Sequence, residues 1–207
     1  MADHLRVAVI GVGHLGKHHA RLLGQIDGVQ LVAAVDTQPE RARAAVEGTA
    51  VEVLTDYREL FVRWFQFGAF TPMFRVHGTG PAKEIWRFDE PAQQILRRYV
   101  ELRYRLLPYI YATSWRVTDQ GYTMMRPLEM DFAPDPLAHG IPDQYLFGQN
   151  LLVSPVVQPK AETRTVYLPG KADWYDFWTG RRYAGGSTVT VATPLDVLPL
   201  HVRAGAI

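Results

Sequence analysis

The apolar spacing of the chain begins with Leu5-Arg6-Val7-Ala8-Val9-Ile10, a nearly continuous run that predicts a strand buried on both faces. Gly11-Val12-Gly13-His14-Leu15-Gly16 follows. Leu15, His19, Leu22, Leu23 and Ile26 then recur on one face of a predicted helix that Asp27-Gly28 stops. Residues 29–35 read as a second buried strand ending at Asp36. Residues 40–47 read as a short Ala-rich helix, with Thr37 as its N-cap and Pro39 in its first turn, and residues 51–54 as a third strand. From residue 57 the text changes. Residues 58–69 predict a helix with a broad apolar face, ended by Thr71-Pro72, and residues 73–77 a short strand ending at Gly78. A long helix is predicted next, with Asp89 as N-cap and Pro91 in the first turn. Its stripe is Ile95, Tyr99, Leu102, Leu106 and Ile110; it kinks at Pro108 and closes at Gly121. Residues 123–128 read as a strand. Beyond about residue 143 the helical period vanishes. Strand patterns at 151–157, 163–168, 174–178, 188–191 and 197–203 alternate with turns, Thr179-Gly180 and Gly185-Gly186 among them, and the last residues stop inside a strand pattern.

Composition turns that change of text into a boundary. The 207 residues include 5 Trp, 10 Tyr and 9 Phe, none before Tyr57, and of 14 prolines only Pro39 precedes it. Either an aromatic-free nucleotide-binding unit sits inside an ordinary two-domain protein, or two pieces of different origin meet near residues 57–61 without a flexible tether. Lys+Arg number 22 against 21 Asp+Glu, a net charge of +1, which excludes a polybasic nucleic-acid binder or an acidic tail as the main business. A hydrophobic content of 47% supports a real core. The absence of a long apolar run argues against a membrane span. The absence of cysteine removes disulfides, thiolate catalysis and Cys-based zinc sites. Met1-Ala2-Asp3-His4 runs into the first strand with no basic stretch or cleavage site, so a cytoplasmic location is expected.

The first segment carries a GxGxxG between strand and helix. Gly11 permits the tight turn, Gly13 lets the backbone approach a pyrophosphate, and Gly16 allows close helix–strand packing, while the helix N-terminus offers unpaired N–H groups to phosphate. Asp36, twenty residues after Gly16, is positioned to accept ribose hydroxyls and would repel a 2′-phosphate, which favours NAD over NADP. His14 and His18 have i, i+4 spacing, but no third ligand accompanies them, and no metal site is expected. On VAVIGVGHLGKHHARLL, LVAAVD and TDYREL, residues 5–60 resemble the N-terminus of the glucose-fructose oxidoreductase, inositol dehydrogenase and MocA family. The resemblance implies NAD(P)-dependent oxidation of sugars or cyclitols, with a catalytic Lys in a Glu-Lys-Pro motif followed by an Asp and a His. Glu-Lys-Pro does not occur in this chain, and the partner strands 4 to 6 of the cofactor fold do not follow.

On RWFQFGAFTPMFRVHG, LRYRLLPYIY, MMRPL, DQYLFG followed by NLLVSPV, YLP and WYDFWTG, residues 57–207 resemble the C-terminal portion of glycoside hydrolase family 31, the α-glucosidases and α-xylosidases. The tone of the first of these motifs is nearer the α-xylosidase-like branch. The fold implied is the last strands of a (β/α)8 barrel followed by an all-β sandwich module. The family's nucleophile Asp lies in Trp-x-Asp-Met-Asn-Glu and its acid/base Asp in Trp-x-Gly-Asp-Asn, both upstream of the RWFQ segment; neither string occurs here. What the resemblance leaves of the sugar pocket is His77, matching the family histidine that contacts a sugar hydroxyl. Arg75, two positions earlier, shares its strand face, and an internal ion pair is an equal account of it. Asp131, Asp135 and Asp143 near the barrel rim, Asp89 and Glu90 at a helix start, and Asp173 and Asp176 in the β module are all expected to be structural.

The expected organisation is therefore an α/β chain: a partial Rossmann βαβαβ unit over 1–56, a barrel fragment over 57–142, and a β-sandwich module over 143–207. Three functional readings stand. The chain is a piece of a family 31 glycosidase lacking its catalytic carboxylates; or it holds NAD on a platform; or it is a recombination product without activity, joined at Tyr57-Arg58-Glu59-Leu60, text natural to both families. Expected partners are a small sugar or nucleotide at most, with no nucleic acid and no membrane. Open strand edges imply self-association.

Overall fold

The computed structural model describes residues 4–54, 56, 58–76 and 84–206, and it divides into two units, one ending at Glu59 and one beginning at Leu60. In the first unit, β1 (Leu5–Ile10), β2 (Val29–Val35) and β3 (Glu52–Leu54) form a parallel sheet in the order β1-β2-β3. Helix α1 (Gly16–Leu23) packs on β1 and β2, helix α2 (Pro39–Ala45) on β2 and β3, and the helices touch each other, so they share one face of the sheet. Val9, Val12, Ala20, Ala34, Ala42 and Val46 fill the space between.

Two expectations for this unit are corrected. β1 is not buried on both faces: Val9 points into the core, whereas Arg6, Ala8 and Ile10 are exposed. The cause is topological, because among the described residues β1 has one strand neighbour and its helices lie on one face only. Of the expected stripe of α1, Leu15, His19, Leu22 and Ile26 are exposed, with Leu15 at 67% and Ile26 at 51%. The N-cap of α2 is Gln38 and not Thr37, since the Asp36 carboxylate accepts the Gln38 amide at 2.9 Å and carries the chain one residue further before the helix starts.

The second unit is layered. Helices α3 (Arg58–Gly68), α4 (Glu90–Arg105) and α5 (Leu107–Gln120) precede a short strand β4 (Met125–Pro127) and a one-turn helix α6 (Leu128–Asp131). Strands β5 (Tyr145–Phe147), β6 (Leu151–Val153), β7 (Thr163–Leu168), β8 (Trp174–Asp176), β9 (Arg182–Tyr183), β10 (Ser187–Ala192) and β11 (Leu200–Arg203) complete it. Six of these strands form an antiparallel sheet in the order β4-β5-β6-β11-β8-β9, while β7 and β10 pair as a separate ribbon. Side chains alternate across the six-stranded sheet as the pleat demands. Phe147, Leu151 and Val153 meet α3 and α4 in one core; Leu146 and Leu152 meet Val166, Leu168 and Trp174 in the other.

The long helix keeps its expected stripe, with Tyr99, Leu102 and Ile110 buried. It breaks at Leu106, two residues before Pro108, and Gly121 ends it at a φ of 63°. The strand expected at 73–77 is absent from its described part, residues 73–76, which are irregular. A lone extended segment cannot satisfy its backbone without a neighbour, and no strand pairs with it among the described residues. Phe74 instead packs edge-on against Phe65, and Arg103 holds the preceding turn through the carbonyls of Ala69, Thr71 and Pro72. The strand expected over 123–128 shrinks to β4, which pairs antiparallel with β5 and not with a barrel neighbour.

The loop between β10 and β11 is drawn onto the helices by buried polar groups. Arg63, nearly buried, donates to the carbonyls of Thr193 at 2.7 Å, Pro194 at 3.0 Å and Val197 at 3.2 Å. Gln66 donates to Leu195 at 2.6 Å, and Tyr99 Oη receives the Leu198 amide at 2.8 Å.

His201, fully buried on β11, has no hydrogen-bond partner at either ring nitrogen among the described residues. Burial pushes its pKa below the usual imidazole value, against a smaller opposing pull from Asp176. The folded chain therefore refuses a proton that the unfolded chain accepts below about pH 6.5. Stability from this residue is complete above that pH and falls as pH drops, by at most about 1.4 kcal/mol per pH unit. Urea unfolding followed by tryptophan fluorescence is expected to show a smaller loss between pH 7.5 and pH 5 in His201→Leu than in the parent. An equal loss in both would remove His201 from the acid response.

Candidate functional site

The glycine turn of the first unit is the best-formed constellation that the sequence singles out. Gly11 takes a φ of 79°, which side chains rarely adopt, and a Cβ at Gly16 would collide with the Gly11 carbonyl oxygen. No atom lies within 4 Å of where a Cβ at Gly13 would stand, so that side of the turn is open for a ligand to approach. Asp36, at the end of β2, closes the arrangement: one carboxylate oxygen accepts the Val12 amide at 3.0 Å and the other the Gln38 amide at 2.9 Å. Gly11, Gly13, Gly16 and Asp36 are thus brought together, with the N-terminus of the eight-residue α1 beside them. His14 and His18 meet edge to face with ring centroids 6.1 Å apart, and no group of three metal-ligating side chains occurs among the described residues. Open space at Gly13 leaves room for a ligand, and each Asp36 oxygen, accepting one amide, can take a further donor.

Of the expected sugar-contact pair, Arg75 alone falls within the described residues. His77 lies outside the described residues. Arg75 is exposed on irregular backbone.

Five acids of the second unit have partners in the fold. Asp131 takes Arg126 Nε at 2.6 Å, a pair that holds the Arg126 pKa above its usual range. Asp135 accepts Tyr167 Oη at 2.6 Å and the amides of Gly170 and Leu137; the tyrosine hydrogen bond, first among these, keeps its carboxyl below the usual range. Asp143 pairs with Arg164 at 3.0 Å, Asp173 with Arg182, and Asp176 caps the turn at Trp178 and Thr179. Sequence reading missed the polar cleft lined by Asp131, Gln149, Asn150 and Arg203, because those residues are scattered along the chain and share no motif. No helix among the described residues is long and apolar enough to cross a membrane.

Comparison with known proteins divides the chain in the same way. Residues 5–63 match the oxidoreductase family with an NAD-binding Rossmann fold; residues 49–113 match the glycosyl hydrolase family 31 TIM-barrel domain, and residues 121–207 the C-terminal domain of that family. The alpha-xylosidase of Saccharolobus solfataricus is 50% identical over 151 residues, covering 73% of this chain and 21% of that protein. Alpha-glucosidase 2 of Bacillus thermoamyloliquefaciens is 36% identical over 150 residues, covering 72% and 19%. Among solved structures, the family 31 alpha-xylosidase of Xanthomonas citri matches with a TM-score of 0.72 at 41% identity over 84% of this chain and 18% of that one. A soil-metagenome alpha-xylosidase complexed with xylose gives 0.71 at 36% identity over 72% and 25%. The chain spans about a fifth of the length of the curated relatives it matches. Its two similarities overlap only over residues 49–63, and it has the make-up of a chimera.

Proposed function

We propose that the chain is a fusion of the C-terminal portion of a family 31 glycoside hydrolase behind the first half of a Rossmann dinucleotide-binding domain, and that it hydrolyses no α-glycoside and transfers no hydride. One observation carries the reading: Asp131, Asp135, Asp143, Asp173 and Asp176 are each bound to a structural partner within their own unit. Glycoside hydrolysis needs two carboxyl groups facing one bond, about 5 to 9.5 Å apart, one of them held protonated by a raised pKa. Asp135 shows the opposite shift, because a hydroxyl and two amides stabilise its charged form. The two upstream family motifs that would supply the pair do not occur in the sequence. The relatives' names describe xylosidases and glucosidases, and a xyloside or glucoside is the substrate class from which this unit descends.

A second reading concerns NAD. The open turn at Gly13 and the Asp36 carboxylate favour binding of the pyrophosphate and adenosine ribose. When bound, NAD supplies hydride chemistry; this chain's residues would only hold and orient it, since Glu-Lys-Pro is missing. A three-stranded sheet gives one wall of the crevice, so affinity is weak.

Nitrophenyl α-xyloside and α-glucoside are expected to release no nitrophenol above the buffer rate with the purified chain. Turnover that disappears in His77→Ala would overturn the first reading. Calorimetry with NAD tests the second: heat lost in Asp36→Arg supports it, and no heat at millimolar NAD removes it.

We also propose self-association through the first unit, where β1 has an open edge among the described residues and leaves Leu5 66% and Ile10 52% exposed. Sedimentation velocity is expected to show dimers or larger species at micromolar concentration. A sharp monomer boundary would refute it.

A further inference from the structure

The second unit contains a cleft of about 320 Å³, within the size range of small-ligand sites, lined by Asp131, Gln149, Asn150 and Arg203. Its walls are fixed by groups other than a ligand. Asp131 is held from behind by Arg126, which takes one carboxylate oxygen and leaves the second without a partner among the described residues. The turn bearing Gln149 and Asn150 is pinned by Tyr109, whose hydroxyl donates to the Phe147 carbonyl at 2.7 Å and accepts the Asn150 amide at 3.3 Å. Gly148 in that turn has a φ of 64°, and a Cβ there would strike the Tyr109 hydroxyl, so the turn and the tyrosine specify each other. Arg203, half-buried on β11, stacks its guanidinium over the Phe132 ring at 5.2 Å, and its backbone amide bonds the Asn150 carbonyl at 2.9 Å.

Among the described residues, the Arg203 guanidinium has no ion pair and no hydrogen bond, and the Gln149 and Asn150 side-chain amides have none either. The charges decide the ligand. Arg126 balances Asp131, which leaves the cleft with one uncompensated cation at Arg203. A planar guanidinium fork fits a carboxylate with two parallel hydrogen bonds. The free Asp131 oxygen accepts from a hydroxyl, and the two amides can both donate and accept. A simple carboxylate uses only Arg203, and a neutral sugar leaves Arg203 unmatched.

We propose that this cleft binds a small polyhydroxylated carboxylate, a sugar acid, with its carboxylate on Arg203 and its hydroxyls on Asp131, Asn150 and Gln149. The proposal is independent of the glycine turn and of glycosidase descent.

Ligand-observed saturation-transfer NMR on the full 207-residue chain tests it with D-glucuronate, D-glucose and acetate as probes. Glucuronate is expected to bind, NAD not to displace it, and glucose and acetate to bind at least about tenfold more weakly. Arg203→Met, which keeps a stem for stacking on Phe132, is expected to weaken glucuronate by about tenfold or more. Asn150→Ala is expected to weaken it several-fold, and a melting curve matching the parent shows that each variant folds. If Arg203→Met does not fold, the Asn150→Ala comparison decides. No glucuronate signal, equal binding of glucose, or undiminished binding in the folded variants would overturn the assignment.

Discussion

The Arg63 guanidinium is the point on which the second unit depends. It is nearly buried and reaches three backbone carbonyls about 130 positions away in the chain, at Thr193, Pro194 and Val197. A loop that leaves one strand and enters another must satisfy its carbonyls or stay in water. Here α3 and α4 supply the donors, through Arg63, Gln66 and the Tyr99 hydroxyl, which donates to the Asp196 carbonyl at 3.2 Å, and the loop is drawn inward. Leu198 and Leu200 then fall into the helix-side core with Val62, Leu96 and Tyr99. That contact lets helices of barrel type and strands of sandwich type share one interior although the described residues form no parallel barrel strands.

The same economy shapes the chemistry. Three of the acids near the expected barrel rim and in the β module are engaged by the fold: Asp135 knits the Tyr167–Gly170 corner, Asp176 makes the turn after β8, and Asp131 anchors Arg126. An acid with a fixed cationic or hydrogen-bond donor partner is stabilised as an anion, and so is poorly suited to donate a proton to a leaving group. The first unit differs: its glycine turn is set by backbone geometry, with Gly11 at a positive φ and Gly16 against the Gly11 carbonyl.

Much of the fold was legible in the sequence. The buried stripe of Tyr99, Leu102 and Ile110 follows helical spacing, and the turns at Gly180 and Gly186 bear the positive φ that their glycines announce. Strand β7 occupies the segment its alternation marks. The two- and three-residue strands β9 and β5 were not legible, because they are defined by pairing partners and are too short to show a period. The bare face of β1 was missed for a related reason: an apolar run records what a strand can bury, and the neighbours decide what it does bury. Arg63 and Gln66 are polar, yet both are buried, since their acceptors belong to a loop distant in sequence. Of the candidate site, the glycines and Asp36 were legible because their spacing is local. The Arg203 cleft assembles from distant positions and left no pattern to read.

Because all five tryptophans lie beyond residue 60, their fluorescence reports the second unit alone. Urea unfolding of Arg63→Met followed by that signal tests the clamp most directly. Loss of the cation leaves three carbonyls of the loop without their donor, and a drop of about 3 kcal/mol is expected, together with faster amide exchange at residues 193–198. A variant within about 0.5 kcal/mol of the parent, the scatter of ordinary surface substitutions, with unchanged exchange in the loop, would contradict the account.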